Sequence, residues 1–270
     1  MNAYGSRKLM RWMHGGLVGL ILLYLIAPAL IVIPMSFMGE SMRRFPAAEF
    51  SLDAYRRFFG QPAWTGATIF SFEMAAVVMV VSVAIAAATA YGILLVRPAV
   101  RRLISVVALL PVIVPTVVFA ISIYWLLAQF RLLGTFAGFV LANLVLALPY
   151  AIVMLRNGIE ALDSSLIRAA AVLGARPARI VFKVAIPLLM PALAAAALFS
   201  FLTAFDEVVV AQFISGPSAV PVSKQMWDGI LFRWDPAISA ISTMQITITI
   251  VVLIVVGLMR RKRAKQILAP

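Results

Sequence analysis

The sequence predicts an all-α integral membrane protein with six transmembrane helices and both termini in the cytoplasm. Three observations carry that expectation. Hydrophobic residues fill 64% of the 270 positions and charged residues only 12%, which is more apolar than a soluble domain. Several apolar runs reach the roughly 20 residues that a helix needs to cross a hydrocarbon core of about 30 Å. The runs are continuous rather than alternating, which favours helices over barrel strands, the two structures that satisfy their backbone groups in lipid.

The spans are expected at about residues 16–37, 67–96, 103–130, 133–155, 187–214 and 237–259, all within one transmembrane domain covering 1–270. The first apolar run is longer than the roughly 7–15 residues of a signal-peptide core and no A-x-A site follows it, so it is expected to stay in the protein. Orientation follows from Lys and Arg near the span ends. One side carries Arg7, Lys8, Arg11, Arg97, Arg101, Arg102, Arg156, Arg168, Arg176, Arg179, Lys183 and the basic tail Arg260–Lys265. The other has only Arg43, Arg44, Arg56, Arg57, Arg131, Lys224 and Arg233. The heavier side is the cytoplasmic one.

A net charge of +13 raises nucleic acid as a partner. The basic residues, however, are dispersed beside spans instead of forming a recognition surface interleaved with aromatics, and topology together with anionic headgroups accounts for them. There is no Cys and one His, which excludes a disulfide framework, a thiol nucleophile and a histidine-based metal cluster. No cofactor, metal or catalytic residue is expected. His14 lies in RKLMRWMHGG before the first span, the setting of an interfacial side chain. No GxxxxGK[ST] motif occurs. If ATP drives this protein, another subunit hydrolyses it.

The longest cytoplasmic segment, 156–186, reads as two short helices and a turn. Asp163 or Ser164 caps the first, Leu166, Ala169, Ala170 and Leu173 recur at helical spacing, and Gly174 suits the left-handed position after the last turn. Pro177 opens the second helix, which carries Arg179 and Lys183 before Pro187 starts the fifth span. Such a hairpin is either an interfacial helix lying on lipid or a docking knob for a cytoplasmic partner.

On these residues the chain resembles a known family. RAAAVLGARPARIVFKVAIPLLMP is similar to the EAA loop in the membrane subunit of type I ATP-binding-cassette importers. Ala169, Ala170, Gly174, Val184, Ile186 and Pro187 match that pattern, and Arg168 stands where it has Glu. FSLDAYRRFF (50–59), LLPVIVPTVVFAI (109–121), LPYAIVMLRNGIEALD (148–163), FDEVVVAQFISGP (205–217) and DPAISAIST (235–243) resemble further stretches of polyamine-type permeases. The likeness is greatest to the second permease subunits of spermidine/putrescine importers. It implies a coupling helix, formed by Arg168, Ala169, Ala170, Leu173 and Gly174 and closed by Pro187, that inserts into a nucleotide-binding subunit. It also implies two cytoplasmic ATP-binding subunits, a second permease subunit, with a different chain favoured over a copy, a soluble substrate-binding protein, and alternating access in the bacterial inner membrane.

The run FLTAFDEVVVAQF (201–213) places two acids in apolar sequence. An isolated carboxylate near mid-membrane costs about 2.5–3.5 kcal/mol on insertion scales, so it normally faces a bundle interior or a watery cavity. Asp206, Glu207 and Glu73 fall at similar depth in the outer half, while no Lys or Arg lies inside the spans away from their ends. A cationic solute is one counter-ion for them; a structural role against polar groups of another span, such as Thr243 or Thr247, is the other. As adjacent helical residues, Asp206 and Glu207 point about 100° apart, so they share no narrow line but can both border a broad cavity. Phe201, Phe205 and Trp227 offer ring faces to a cation, although packing or an interfacial belt is the favoured reading for Trp64, Trp125, Trp227 and Trp234. Pro111, Pro115 and Pro149 read as hinges or as simple kinks. Another amine-bearing solute (an opine, an amino acid or an aminophosphonate), a proton-coupled secondary transporter and a non-transport scaffold are the competing functions; no inverted repeat of the secondary-transporter kind is evident.

Overall fold

The computed structural model describes residues 3–38, 50–162, 164–232 and 235–267. Arg43, Arg44, Asp163, Arg233 and Trp234 of the sequence reading lie outside them. Among the described residues every regular element is a helix: α1 (Ala3–Met35), α2 (Asp53–Gly60), α3 (Pro62–Leu95), α4 (Pro98–Ile113), α5 (Thr116–Gln129), α6 (Phe136–Glu160), α7 (Ser164–Val172), α8 (Pro177–Ile180), a π-helical segment (Val181–Ala185), α9 (Ile186–Phe205), α10 (Val209–Ile214), α11 (Val222–Phe232) and α12 (Ala237–Ile267). Among the described residues four stretches are long and apolar enough to cross a membrane: Trp12–Met35, Pro62–Gly92, Phe136–Glu160 and Val181–Phe205. The bent pair α4 and α5 brings the number to five if it is one span, and Ala237–Val251 is a shorter apolar stretch.

Four expectations about helix continuity change. The third run, 103–130, is not one helix but two, bent by 100°. Pro115 supplies the reason: it has no N–H for the ladder, and it drives Val114 to an extended φ, ψ of −72°, 128°. Pro111 and Pro149, by contrast, are carried inside α4 and α6. The fifth run, 187–214, stops at Phe205 and restarts at Val209. Nor does Pro187 begin a helix. Helical structure is unbroken from Pro177 to Phe205, and the widened turn sits just before the proline, where the Ile186 N–H donates five residues back to the Val181 carbonyl. Pro187 can give nothing to the Lys183 carbonyl and crowds it, and an extra residue in the turn relieves that conflict. Lastly, the stretch between the last two apolar runs, expected as a loop, contains α11.

The chain divides into two compact units, one made of 1–65 with 229–270 and the other of 66–228. In the first, no residue from Trp12 to Met35 is buried. The end of α1 is tied to α2: Ser36 Oγ and Tyr55 Oη share a 2.9 Å hydrogen bond, and the Ser51 N–H donates to the Phe37 carbonyl at 2.8 Å. Trp64 is 2% exposed, and its indole N–H donates to Asp235 Oδ2 at 3.1 Å. Asp235 Oδ1 meanwhile accepts from the Ala237 N–H at 2.9 Å, capping α12.

Among its described residues the second unit shows two buried apolar clusters. One contains Met74, Ala75 and Val78 of α3, Ala120, Ile123 and Leu127 of α5, Phe139, Ala142 and Ala147 of α6, Ala204 of α9, and Val210, Ala211 and Ile214 of α10. The other contains Ala86 and Ala90 of α3, Ala151, Ile152 and Leu155 of α6, and Ala196 of α9. Small side chains dominate because lipid is as apolar as the core, so close backbone approach rather than water exclusion holds membrane helices together. Gly158 of α6 shows this at its limit, since a Cβ there would overlap the Ala192 Cβ of α9. Arg156 links α6 to α4, donating to Ser105 Oγ at 3.2 Å and to Glu160 Oε1 at 2.9 Å.

Two loops of this unit meet backbone to backbone. The Gly134 N–H donates to the Ile214 carbonyl at 2.9 Å, and a Cβ on Gly134 would lie 2.9 Å from Gly216 Cα. Gly134 also has φ +66°, which an L side chain adopts only at a cost. Gly134→Ala is therefore expected to destabilise this unit by about 1–2 kcal/mol from the dihedral alone, with the clash in addition. Lower thermal stability in detergent than for Gly15→Ala, where a Cβ meets nothing, checks it.

Candidate coupling hairpin and solute path

α7 ends in a Schellman turn. The Gly174 N–H donates to the Ala171 carbonyl and the Ala175 N–H to the Ala170 carbonyl, at 3.0 and 3.1 Å, with Gly174 at φ +77°. The left-handed glycine expected there is thus present. Arg168, Ala169 and Gly174 are exposed and Ala170 is half-buried. Val172 and Leu173 are each 87% exposed, so the hairpin's apolar tip is not covered by its own chain. Pro187, also exposed, is not at the tip. It lies inside the helix that leads from the hairpin into the Val181–Phe205 stretch.

At the other end of that helix is the interruption. Asp206 is the C-terminal cap of α9, its N–H donating to the Leu202 carbonyl at 3.0 Å. Its carboxylate is exposed and, among the described residues, has no hydrogen bond or ion pair. Glu207 differs. Its Oε1 accepts from the Val210 N–H at 3.0 Å, supplying an acceptor to the first turn of α10. Its carbonyl accepts from Ser223 Oγ at 3.0 Å. The two acids therefore do not occupy adjacent places on one helix: one ends a helix and the other supports the next. α10 is held in turn by Val210, Ala211 and Ile214, all buried in the first cluster.

An aromatic ladder approaches the same point. Phe201 and Phe205 stack at 5.5 Å between centroids with 16° between planes, and Phe72 of α3 meets Phe201 edge-on at 5.3 Å. Glu73 follows Phe72 and is exposed. Trp227 is 47% exposed on α11, beside Asp228, which is ion-paired with Lys224 one turn earlier. Among the described residues no hydrogen bond or ion pair joins Glu73 or Trp227 to Asp206. Phe205, Asp206 and Glu207 come together at the break, while Glu73 and Trp227 stand apart from it.

Ser223 and Ser71 were not candidates in the sequence, yet they anchor the region. Ser71 Oγ accepts from the Val222 N–H at 2.8 Å, fixing the start of α11 against α3. Single serines among apolar residues carry no local signal of such a role.

Residues 81–265 match the family described as "binding-protein-dependent transport system inner membrane component". The chain belongs to this family. It is therefore an ABC importer permease, a non-enzymatic and multi-pass component of the inner membrane, whose family works with an ATPase, a substrate-binding protein and a second permease. Among relatives, the spermidine/putrescine transport system permease protein PotC of Haemophilus influenzae is 28% identical over 242 residues, covering 88% of this chain and 93% of that one. PotC of Escherichia coli K12 is 28% identical over 258 residues, covering 94% and 96%. The osmoprotective compounds uptake permease protein GgtD of a Synechocystis strain is 37% identical over 158 residues, 58% of this chain and 53% of that protein. In fold, the permease matches a chain in the crystal structure of a bacterial ABC transporter that imports the acidic polysaccharide alginate, with a TM-score of 0.77 at 19% identity and coverage of 95% and 98%.

The geometry separates charge from hydrogen bonding at Glu207. Glu207→Gln keeps an oxygen for the Val210 N–H and is expected to fold and transport like the parent. Glu207→Ala removes the acceptor and is expected to cost about 1 kcal/mol, on the scale of a lost helix cap. Thermal unfolding and uptake of the two variants side by side check the distinction.

Proposed function

We propose that this permease forms half of the path for a small cationic solute, specifically a polyamine of the spermidine/putrescine class, in an ATP-driven importer. The observation that carries the reading is the exposed, unpartnered Asp206 carboxylate at the end of the Phe72, Phe201 and Phe205 ladder. A carboxylate beside ring faces suits an alkylammonium, which gains ion pairing and cation–π attraction together. The PotC relatives, similar over nearly the whole chain, support the same solute class. In this reading Phe205 and Asp206 contact the cargo, Glu207 holds the break open, and Glu73 and Trp227 line the approach from outside.

The remaining architecture is proposed on the same footing. The 270 residues act as one domain of six spans with both termini cytoplasmic. α4 and α5 make the third crossing and Ala237–Val251 belongs to the sixth. Residues 156–186 face the cytoplasm, where Arg168, Ala169, Ala170, Leu173 and Gly174 dock on one of two ATP-binding subunits. The second permease is a different chain, and a soluble receptor delivers the solute. ATP binding then moves the hairpin and rocks α9. The GgtD relative favours a second reading, an osmoprotective compound as cargo.

Receptor binding separates the two: the soluble receptor of this system is expected to bind putrescine or spermidine and not neutral osmolytes, measured by calorimetry. Asp206→Asn is expected to lower polyamine uptake about tenfold, the effect of losing some 1.4 kcal/mol of interaction, in an assembly that still hydrolyses ATP. Unchanged uptake by that variant removes the electrostatic argument. Leu173→Glu, which places a charge on the bare apolar tip, is expected to release the ATPase from detergent-purified complexes.

A further inference from the structure

The acids among the described residues divide into two groups. Asp53, Glu160, Glu207, Asp228 and Asp235 each have a hydrogen-bond or ion-pair partner. Glu73 and Asp206 are exposed and, among the described residues, have neither. These two share a further feature, because each directly follows a phenylalanine: Phe72 precedes Glu73 on α3, and Phe205 precedes Asp206 at the end of α9. The two phenylalanines are the outer members of one row of rings. Phe201 meets Phe72 edge-on at 5.3 Å and stacks on Phe205 at 5.5 Å, so the outer rings lie no more than about 11 Å apart, the limit of those two steps. A carboxylate thus stands next in sequence to each end of the row.

A second connection ties the same two places together. The Val222 N–H of α11 donates to Ser71 Oγ, beside Phe72, at 2.8 Å. The hydroxyl of the next residue, Ser223, donates to the Glu207 carbonyl, beside Asp206, at 3.0 Å. Ser71 and Glu207 are therefore bound to consecutive residues of α11. The cation next along that helix, Lys224, is ion-paired with Asp228, where its charge is met.

Charge balance then selects the solute. One carboxylate compensates one ammonium, and a second ammonium entering the membrane without a counter-charge is penalised. Glu207 is committed to the Val210 N–H, which leaves Glu73 for that second charge. Between the two acids, the rings offer an apolar bed to methylene groups and attract an ammonium that passes over their faces.

We propose that Glu73 and Asp206 hold the two ends of one solute, an aliphatic α,ω-diammonium lying along Phe72, Phe201 and Phe205. The inference rests on the cationic-solute reading above and deepens it. Glu73 is a binding residue at the far end of the ring row, and the site prefers two positive charges to one.

Putrescine and n-butylamine share a butyl chain and differ in the second ammonium, so selectivity between them reads the second end directly. The complete permease–ATPase complex in nanodiscs, without its receptor so that the receptor's own preference is absent, is expected to bind putrescine about tenfold more tightly than n-butylamine in equilibrium dialysis, the scale of one added charge pair. Glu73→Gln is expected to bring the two amines to equal affinity by weakening putrescine alone. Glu73→Asp keeps the charge and is expected to retain the preference, which separates charge from folding. Discrimination that survives in Glu73→Gln, or equal binding of the two amines by the parent, overturns the two-ended site. If in that case Asp206→Asn still weakens both amines, the cationic path stands and only the second end falls. A parent that binds neither amine removes the cationic reading together with this one.

Discussion

A backbone N–H or C=O that leaves a helix inside hydrocarbon must find its partner within the protein, because no water is available to take that place. The interruption after Phe205 depends on meeting this demand. The Asp206 N–H stays on the ladder of α9, the Glu207 carboxylate takes the Val210 N–H, and Ser223 takes the Glu207 carbonyl. Burial of Val210, Ala211 and Ile214 then fixes the restarted helix. These partners satisfy three of the groups at the turn, and the Asp206 carboxylate is left unpaired. One acid is consumed in making the break and the other has no partner among the described residues.

The same helix that ends at this site begins at the glycine-ended hairpin. From Pro177 to Phe205 it is continuous, a rod of roughly 40 Å at 1.5 Å per residue. Along its length it packs on α6 through Gly158 and Ala192 and contributes Ala196 and Ala204 to the two clusters. In the proposed mechanism this continuity matters more than any single contact. There, a displacement passed from the hairpin to Pro177 is carried to Asp206 along an unbroken helical element, with a π turn just before Pro187.

Some of this was legible in the residues. Gly174 reads as a left-handed terminus because only glycine takes that conformation cheaply, and the Schellman turn is there. The apolar runs locate the long helices because an uninterrupted hydrophobic stretch of about 20 residues matches the thickness of a bilayer core and exceeds what a soluble helix buries. Further features were not legible. VVVAQF continues the hydrophobic run after Asp206 and Glu207 without a Gly or Pro, so nothing local announces the break; its support comes from Ser223, sixteen residues further on. Pro115 and Pro149 look alike in sequence, yet one divides a helix and the other rides inside one. Trp64 was read as belt or packing, and its partner Asp235 lies 171 residues away.

What the sequence by itself determined is the material: helices of membrane length, the family they belong to, the glycine-ended hairpin, and the presence of acids where lipid would not want them. Only the tertiary structure decided which of those acids is tied into the backbone and which is not, and where the long runs break. The reason is physical. In a soluble helix the core-facing side is marked by its contrast with polar residues, but a membrane helix is apolar on every side, so its buried face is set by the size and hydrogen bonding of distant neighbours that local pattern does not record.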